Sequence, residues 1–252
     1  MFETFAKELV SLKPDLILAN AHTAARALQR HTTDTPVLFV LVSDPVGDQL
    51  VASLARPGGN LTGFTSFEFS LSGKWLEILK ETVPQVRRVA MLFNPATAPG
   101  GGWNYVRTAD AVASSFAVQI IGMPVGNEGD IEHSLDQFAQ GPNGALIIVP
   151  EAFTSAHAEL IIARAAHHRL PAIYPLGLFA RAGGLLSYGI DAINQFRQAA
   201  SYADRILKGE KPMELPVQAP NKFDLVINLK TAKALGLEVP AAVLARADEV
   251  IE

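Results

Sequence analysis

The chain has 252 residues, enough for one large or two ordinary domains with a sizeable core, and 49% of them are hydrophobic. The formal net charge is -4 and no block of basic residues occurs, which argues against nucleic acid or an anionic membrane as a partner. The sequence has no cysteine, which excludes disulfides, thiol nucleophiles and thiolate metal sites together.

The first residues do not have the pattern of an export signal. Glu3, Lys7 and Glu8 interrupt the apolar residues, and no small-residue cleavage site follows. No segment approaches the roughly 20 apolar residues that span a bilayer. The sequence as given is expected to be soluble, and cytoplasmic if its first residue is the natural start.

Hydrophobic spacing and capping residues predict a regular alternation of helices and strands. In chain order the predicted elements are a helix ending before Pro14, a strand at 16–19, a helix over 24–30 capped by Thr23, a strand at 37–42, a short helix capped by Asp48, a strand at 61–65, a helix ending before Pro84, a strand at 89–93, a helix over 103–116, a strand from 118 to 121, a helix capped by Asp130, a strand at 145–149, a helix capped by Thr154, a strand at 171–174, a strand at 185–188, a helix capped by Asp191, a loop over 211–221, a strand at 223–227, a helix capped by Asn228 and a last helix from Pro240.

The stretch from Val37 to Ser66 looks like the centre of this pattern. Six consecutive apolar residues, Val37–Val42, predict a strand covered on both faces. Leu50, Val51 and Leu54 would lie on one side of the short helix capped by Asp48, which makes the stretch one βαβ unit. In the long helix after Asp191, one apolar face contains Ile193, Phe196, Ala200, Ala203 and Leu207.

The alternation predicts an α/β fold of two doubly wound parallel-sheet domains. Residues 86 to 175 form a self-contained βαβαβαβ pattern. We therefore expect residues 1–84 and 178–252 to make one discontinuous domain and residues 85–177 to make the other.

Polar and aromatic side chains follow many of the predicted strands. Ligands of open parallel sheets bind beyond the carboxyl ends of the strands, so these side chains are the candidate ligand-binding residues. They are Asn20, His22, Thr23, Ser43, Asp44, Thr65, Ser66, Asn94, Glu151, Tyr174 and Tyr188. Asp44 suits an ammonium group, although Asp44-Pro45 is equally consistent with a simple turn.

Several kinds of catalytic site find no support in the sequence. No HExxH, GxSxG or P-loop motif occurs, and the adjacent His167 and His168 point about 100° apart on a helix, so no metal or cofactor is expected. The three glycines at 100–102 lack the GxGxxG spacing and are better explained as a flexible loop. An enzyme would need Asp44, His22 or Glu151 as acid or base.

Longer phrases of the sequence resemble one family. VLVSDPVGDQLVASLARPGGNLTGFTS, GKWLEILKETVPQVRRVAMLFNP, RLPAIYP, GGLLSYG and KFDLVINLKTAKALGL are similar to ABC transporter substrate-binding proteins of the family that includes the tryptophan and tyrosine binders. The resemblance covers nearly the whole chain in order. It implies a type I periplasmic-binding-protein fold, in which two α/β domains close on a ligand between them. It also implies an amino-acid-like solute, a membrane permease as partner and a periplasmic location.

The resemblance begins at the family's second helix, without the family's first strand, helix and strand. The strand at 16–19 would then be an uncovered sheet edge, so self-association through this edge is expected. The sequence thus favours a solute-binding subunit that performs no chemistry and does not identify the solute. Two alternatives stay open: an α/β enzyme acting on a small metabolite, and a truncated remnant that binds nothing.

Overall fold

The computed structural model describes residues 2–252 and confirms the α/β class predicted from the alternation. The helices are α1 Phe2–Ser11, α2 Ala21–His31, α3 Leu71–Thr82, α4 Trp103–Ala113, α5 Glu128–Ala139, α6 Ala152–Ala156, α7 Ala158–His167, α8 Gly177–Arg181, α9 Ala192–Leu207, α10 Leu229–Leu235 and α11 Ala241–Leu244. The strands are β1 Ile17–Asn20, β2 Val37–Val42, β3 Leu61–Thr65, β4 Arg88–Phe93, β5 Gln119–Pro124, β6 Gly144–Ile148, β7 Ala172–Tyr174, β8 Leu186–Ile190, β9 Phe223–Asn228 and β10 Glu249–Ile251.

The chain folds into two compact units. Unit 1 contains the residues up to Glu68 together with Asp191–Lys222, and unit 2 contains Phe69–Ile190 together with Phe223–Glu252. These bounds differ from those of the expected domains, 1–84 with 178–252 and 85–177, because helix α3 belongs to unit 2 and β8, β9 and β10 extend its sheet. The division into domains at the bounds expected from the sequence stays a prediction.

Unit 1 is built on a parallel sheet in the order β1-β2-β3. The side chains of Ile17 and Phe39 pack on one face of this sheet, with Leu28 of α2 and Ala6 of α1. Helix α9 covers the other face, where Val40, Phe64 and other apolar residues form a second cluster. Every residue of β3 is buried, whereas alternate residues of β1 are exposed, as expected for a strand at the sheet edge.

Unit 2 contains a seven-stranded sheet in the order β10-β9-β8-β7-β6-β4-β5. All neighbouring pairs are parallel except β8 and β9, which run antiparallel with Leu186 opposite Ile227. The strands β4, β6 and β7 are almost fully buried, and helices α5 and α7 pack on them through Leu135 and Ile161. The central strands therefore have long apolar runs, as the sequence does.

The connection between β2 and β3 differs from the prediction. Residues 45–49 form turns, so the short helix that Asp48 was predicted to cap is absent and that prediction is wrong. The backbone explains the difference, because Gln49 has a φ of 58° in the left-handed region, which interrupts a right-handed helix. The Asp44 side chain also accepts a hydrogen bond from Gly47 N at 2.8 Å, which favours a turn.

Two of the predicted helix caps are confirmed. Asp191 accepts a hydrogen bond from Asn194 N at 2.9 Å, and Asn228 accepts one from Thr231 N at 3.0 Å. These side chains satisfy backbone N–H groups that have no partner within the first helical turn.

Three predicted caps are wrong. The α5 cap is Asn127, which accepts from the N–H of Asp130, and the α6 cap is Glu151, which accepts from the N–H of Thr154. Thr23 lies within the first turns of α2, which begins after Asn20. In each case the true cap stands three residues upstream of the predicted one, and an oxygen-bearing side chain at either position fits the same local sequence.

Helix α9 presents a different face to the sheet from the apolar face marked in the sequence. The buried residues are Gln195, Ala199, Tyr202 and Ile206. Of the apolar face, Ile193 is 62% exposed, Phe196 37% and Leu207 61%. Two apolar stripes run side by side along this helix, and the sheet covers the one that contains a glutamine.

Candidate functional site

Four predicted site residues meet at one edge of the sheet in unit 1. Ser43 and Asp44 follow β2, while Thr65 ends β3 and Ser66 follows it. The N–H of Ser66 donates to Val42 O at 2.9 Å, so the two strand ends are directly hydrogen-bonded. Parallel strands thus bring two polar pairs together, as the sequence predicts.

The carboxylate of Asp44 is half-buried and already has one partner. Its Oδ1 accepts from the N–H of Gly47 at 2.8 Å, which closes the turn after β2. Within residues 2–252, no second hydrogen bond to this carboxylate occurs. The turn therefore holds Asp44 in a fixed orientation, and the remaining oxygen can accept from another donor.

The hydroxyls of Thr65 and Ser66 differ in their partners. Thr65 Oγ1 donates to Gln218 O at 3.3 Å. Ser66 is only 2% exposed, and its Oγ has no hydrogen-bond partner within the described part of the chain. A buried hydroxyl without a partner costs free energy, and a ligand atom bonded to Ser66 Oγ would remove that cost.

Asn20, His22 and Thr23 lie where β1 passes into α2, at the same end of the sheet. Asn20 is exposed, and Ala21 after it has a φ of 69°, which turns the chain sharply into the helix. His22 Nδ1 lies 3.0 Å from Asp48 Oδ2, although the two atoms lack the angles of a hydrogen bond. The imidazole therefore faces the turn after β2.

The pairing of His22 with Asp48 is one part of an acid–base arrangement. Nucleophilic catalysis would also need a hydroxyl hydrogen-bonded to the other ring nitrogen. No such hydroxyl bonds to His22 within residues 2–252.

Asn94 and Glu151 occupy the corresponding strand ends in unit 2. They follow the neighbouring strands β4 and β6, which are joined past their ends by Val149 N donating to Leu92 O at 3.0 Å. Both side chains hold local backbone, since Asn94 Oδ1 accepts from Ala96 N at 2.8 Å.

Glu151 is 8% exposed and fully used as a helix cap. Its carboxylate accepts from Thr154 N at 2.7 Å, from Phe153 N at 2.5 Å and from Thr97 Oγ1 at 2.5 Å. Burial raises the pKa of the Glu151 carboxyl, and the hydrogen bond from Thr97 and those from the backbone only partly oppose this rise.

The two predicted tyrosines lie in different surroundings. Tyr174 is 1% exposed and its ring stacks on Phe179 with centroids 5.2 Å apart, and its burial raises the pKa of its hydroxyl. Tyr188 is half-buried and stacks on Phe223 at 5.8 Å. Trp75 Nε1 donates to the main-chain oxygen of Tyr188 at 2.7 Å, which fixes the backbone at this strand.

Two further observations concern metal-binding clusters and membrane-spanning helices. Within residues 2–252, no cluster of three or more histidine, aspartate or glutamate side chains could hold a metal ion. In the same part of the chain, every helix is too short or too polar to cross a membrane.

Gln195 also lies at the strand ends of unit 1, and the sequence did not predict it as part of the site. The side chain of Gln195, from α9, is 5% exposed and bonds to the main chain of both β2 and β3. A signal for it exists in the second stripe of α9, in which Gln195 is the polar member among Ala199, Tyr202 and Ile206. A glutamine in an otherwise buried stripe indicates a specific buried hydrogen bond.

Two α/β units with parallel-dominated sheets and polar strand ends define a solute-binding protein of the type I periplasmic kind. The model of the ABC transporter substrate binding protein family matches residues 2–251, and the chain belongs to this family. The resemblance stated from the sequence is thereby confirmed, and with it a solute-binding role.

Individual relatives are similar over most of their length. A tyrosine-binding protein of Clostridioides difficile strain R20291 is 25% identical over 236 residues, which are 94% of this chain and 67% of the relative. The crystal structure of an ABC domain in complex with L-Trp, from Streptococcus pneumonia, is 25% identical with a TM-score of 0.89, covering 99% of this chain and 85% of the other. A conserved domain protein from Vibrio cholerae is 27% identical with a TM-score of 0.90, covering 99% and 82%.

Proposed function

We propose that this chain is the solute-binding subunit of an ABC importer and that its solute is an amino acid or a similar small polar molecule. The observation that carries the proposal is the meeting of Ser43, Asp44, Thr65 and Ser66 at the carboxyl ends of β2 and β3. Within residues 2–252, neither the Thr65 nor the Ser66 hydroxyl bonds to a histidine that could activate it as a nucleophile. The tyrosine and tryptophan named for two relatives support an amino-acid ligand. In this role the solute is released unchanged.

Asp44 is the proposed partner of the solute's ammonium group. Its Oδ1 is held by Gly47, so the second oxygen faces a ligand without loss of side-chain freedom on binding. The buried hydroxyl of Ser66 and the neighbouring Ser43 and Thr65 would bind other polar atoms of the solute. Asn20, His22 and Thr23 complete this proposed edge of the site.

Most of the predicted site residues of unit 2 are less available for direct contact with the solute. Tyr188 is the proposed aromatic contact, because its ring is half-buried and can cover an apolar part of a ligand. Asn94 and Glu151 are engaged in local hydrogen bonds, and Tyr174 is buried in the core. We propose that these three act mainly by shaping the strand ends.

A thermal-shift screen against the common amino acids is the first test. A ligand at 100 times its dissociation constant adds about 2.7 kcal/mol to the free energy of unfolding, which is readily seen. Titration calorimetry with L-tryptophan and L-tyrosine then gives the affinity. Recovery of the unchanged compound after prolonged incubation would support binding without turnover.

Substitution of Asp44 separates its two roles. Asp44→Asn keeps an oxygen for the N–H of Gly47 but has no charge, whereas Asp44→Ala loses both. If Asp44 binds an ammonium group, both variants lose about 1.5 to 3 kcal/mol of binding free energy, and only Asp44→Ala loses the turn. Wild-type affinity in Asp44→Asn would show that Asp44 only makes a turn.

The same experiments decide between the remaining hypotheses. Chemical conversion of a bound compound would favour an enzyme, with Asp44, His22 or Glu151 as acid or base. A folded chain that binds none of the tested solutes would favour a remnant without binding function. We propose a location outside the cytoplasmic membrane and delivery to an ABC permease, as expected for the family.

We also propose that unit 1 self-associates with a second copy of the chain. Strand β1 is the sheet edge, and Leu18 projects from it with 50% exposure. The alternation along β1 places Leu18 on the face covered by α9, since Leu16 packs in that cluster. Helix α9 also has an apolar stripe in which Ile193, Phe196, Ala200 and Leu207 are exposed and Ala203 is half-buried against the cluster.

The spacing and charge of this stripe fit a second copy of α9. Its residues are separated by three, four, three and four positions, which is the pattern of two helices packed side by side. The small Ala200 at its centre permits close approach of an antiparallel copy. In that arrangement the flanking Arg197 of each copy faces Asp204 of the other, so the charges are complementary.

A further inference from the structure

The end of β2 has an irregular backbone next to the unit 1 site. Leu41 has a φ of 58°, in the left-handed region that a branched side chain rarely adopts, and the pairing of β2 with β3 shifts register between Phe39 and Val42. Such a conformation persists only where the surrounding structure holds it. The shift also interrupts the strand pairing at Leu41.

The side chain of Gln195 fills the interruption. Its Oε1 accepts from the N–H of Leu41 at 3.3 Å, and its Nε2 donates to the main-chain oxygen of Thr65. The amide therefore links the two strands as a peptide group would in a regular sheet. Because Gln195 is 5% exposed, water has little access to replace it.

We propose that Gln195 is a positioning residue for the solute site. It holds the strained end of β2 against the end of β3, and so fixes Ser43 and Asp44 relative to Thr65 and Ser66. Gln195 itself does not touch the solute. The inference rests on the proposed function for its effect on binding, but its effect on the strand ends is independent of any ligand.

Amide hydrogen exchange on the ligand-free protein tests whether Gln195 fixes the ends of β2 and β3. Gln195→Leu removes both hydrogen bonds at similar volume, and Gln198→Leu, at an exposed position on the same helix, is the matched control. We expect exchange at the 41–44 and 65–66 segments to be about tenfold faster or more in Gln195→Leu and unchanged in Gln198→Leu. Equal exchange in Gln195→Leu and wild type would overturn the proposal.

Binding of L-tryptophan tests whether this positioning supports the solute site, with Gln195→Glu as the conservative variant. A carboxylate still accepts from Leu41 N but cannot donate to Thr65 O, whereas a protonated carboxyl does both. We expect Gln195→Leu to bind about tenfold more weakly than wild type, and Gln195→Glu to recover affinity relative to wild type as the pH is lowered.

The outcomes separate the two proposals. Faster exchange with wild-type affinity in Gln195→Leu would overturn the positioning role, as would a pH-independent deficit in Gln195→Glu, which indicates a simple packing defect. If no chain, wild type included, binds L-tryptophan or any other common amino acid, the proposed ligand class fails, while the exchange result still decides whether Gln195 fixes the strand ends.

Discussion

His22 Nδ1 lies 3.0 Å from Asp48 Oδ2, and this contact ties the first turn of α2 to the turn after β2. Arg26, one helical turn further along α2, donates to the main-chain oxygen of Asp48. Gln29 Nε2 donates to Gln49 O at 2.5 Å. One face of α2 therefore holds the segment that contains Asp44, in place of the helix expected there.

Removal of the Asp48 carboxylate should loosen this turn without unfolding the protein. The His22 and Asp48 side chains are 17% and 20% exposed, and their facing atoms lack the angles of a hydrogen bond, so Asp48→Ala is expected to lower the free energy of unfolding by about 1 kcal/mol or less. Hydrogen exchange over residues 44–50 should quicken. Asp34→Ala, on an exposed loop of the same unit, is the control, and equal exchange in the two variants would contradict the role given to Asp48.

A methyl group at Gly47 should displace Asp44. A Cβ at this position would lie 2.2 Å from Asp44 Oδ2, too close for any real contact. Gly47→Ala is therefore expected to weaken solute binding by at least as much as Asp44→Asn. In Gly59→Ala the added Cβ meets no atom within 4 Å, so this control should bind normally. Calorimetry with the solute found in the thermal-shift screen measures both.

The buried strands β2 and β3 and the meeting of the polar residues at their ends were predictable, because buried parallel strands have long apolar runs and their carboxyl ends lie side by side. The turn after Asp44 was not predictable. The apolar positions Leu50, Val51 and Leu54 fit a helix. Gln49 before them adopts a left-handed backbone conformation, which is costly for an L-residue and which the local sequence does not indicate. The tertiary bonds from α2 to the turn are absent from any local pattern.

The buried face of helix α9 was also not predictable from the sequence. Its two stripes are both compatible with an amphipathic helix, and the more apolar one is exposed. The buried stripe contains the amide of Gln195, which bonds to the main-chain groups of Leu41 and Thr65. Hydrophobicity alone ranks the stripes in the wrong order, because it takes no account of backbone groups on another element.

The stability of unit 2 should depend on pH through Glu151. Because burial raises its pKa above the ordinary value of 4.5, the folded state holds this proton more tightly than the unfolded state does. Its contribution to stability is complete below pH 4.5 and declines as the pH rises through the raised pKa. Glu151→Gln lacks this decline.

Denaturant titrations from about pH 4 to 7 measure this effect. The free energy of unfolding of wild type minus that of Glu151→Gln should fall as the pH rises. Glu132→Gln, at an exposed position on α5, is the control and should follow the wild-type curve. A constant difference between wild type and Glu151→Gln would show that the burial of Glu151 does not favour its protonated form.

Charge reversal tests the proposed pairing of α9 with a second copy. Sedimentation at increasing concentration should show self-association of the wild-type chain. Arg197→Asp and Asp204→Arg should each weaken it, and the double variant should restore it, even though Asp204 also pairs with Lys208 at 2.7 Å in the single chain. Lys233→Glu, on α10, controls for net charge. A wild-type chain that stays monomeric at high concentration would refute the pairing.

The antiparallel pairing of β8 with β9 also affects how the protein emerges from the ribosome. Ile190 pairs with Phe223, yet all of α9 is synthesised between them. While α9 is being made, the side of the nascent β8 that faces away from β7 lacks its partner strand β9. Strands β9 and β10 therefore join the sheet of unit 2 only after the second segment of unit 1 has been translated. The last strands of unit 2 and the last segment of unit 1 thus become available almost together.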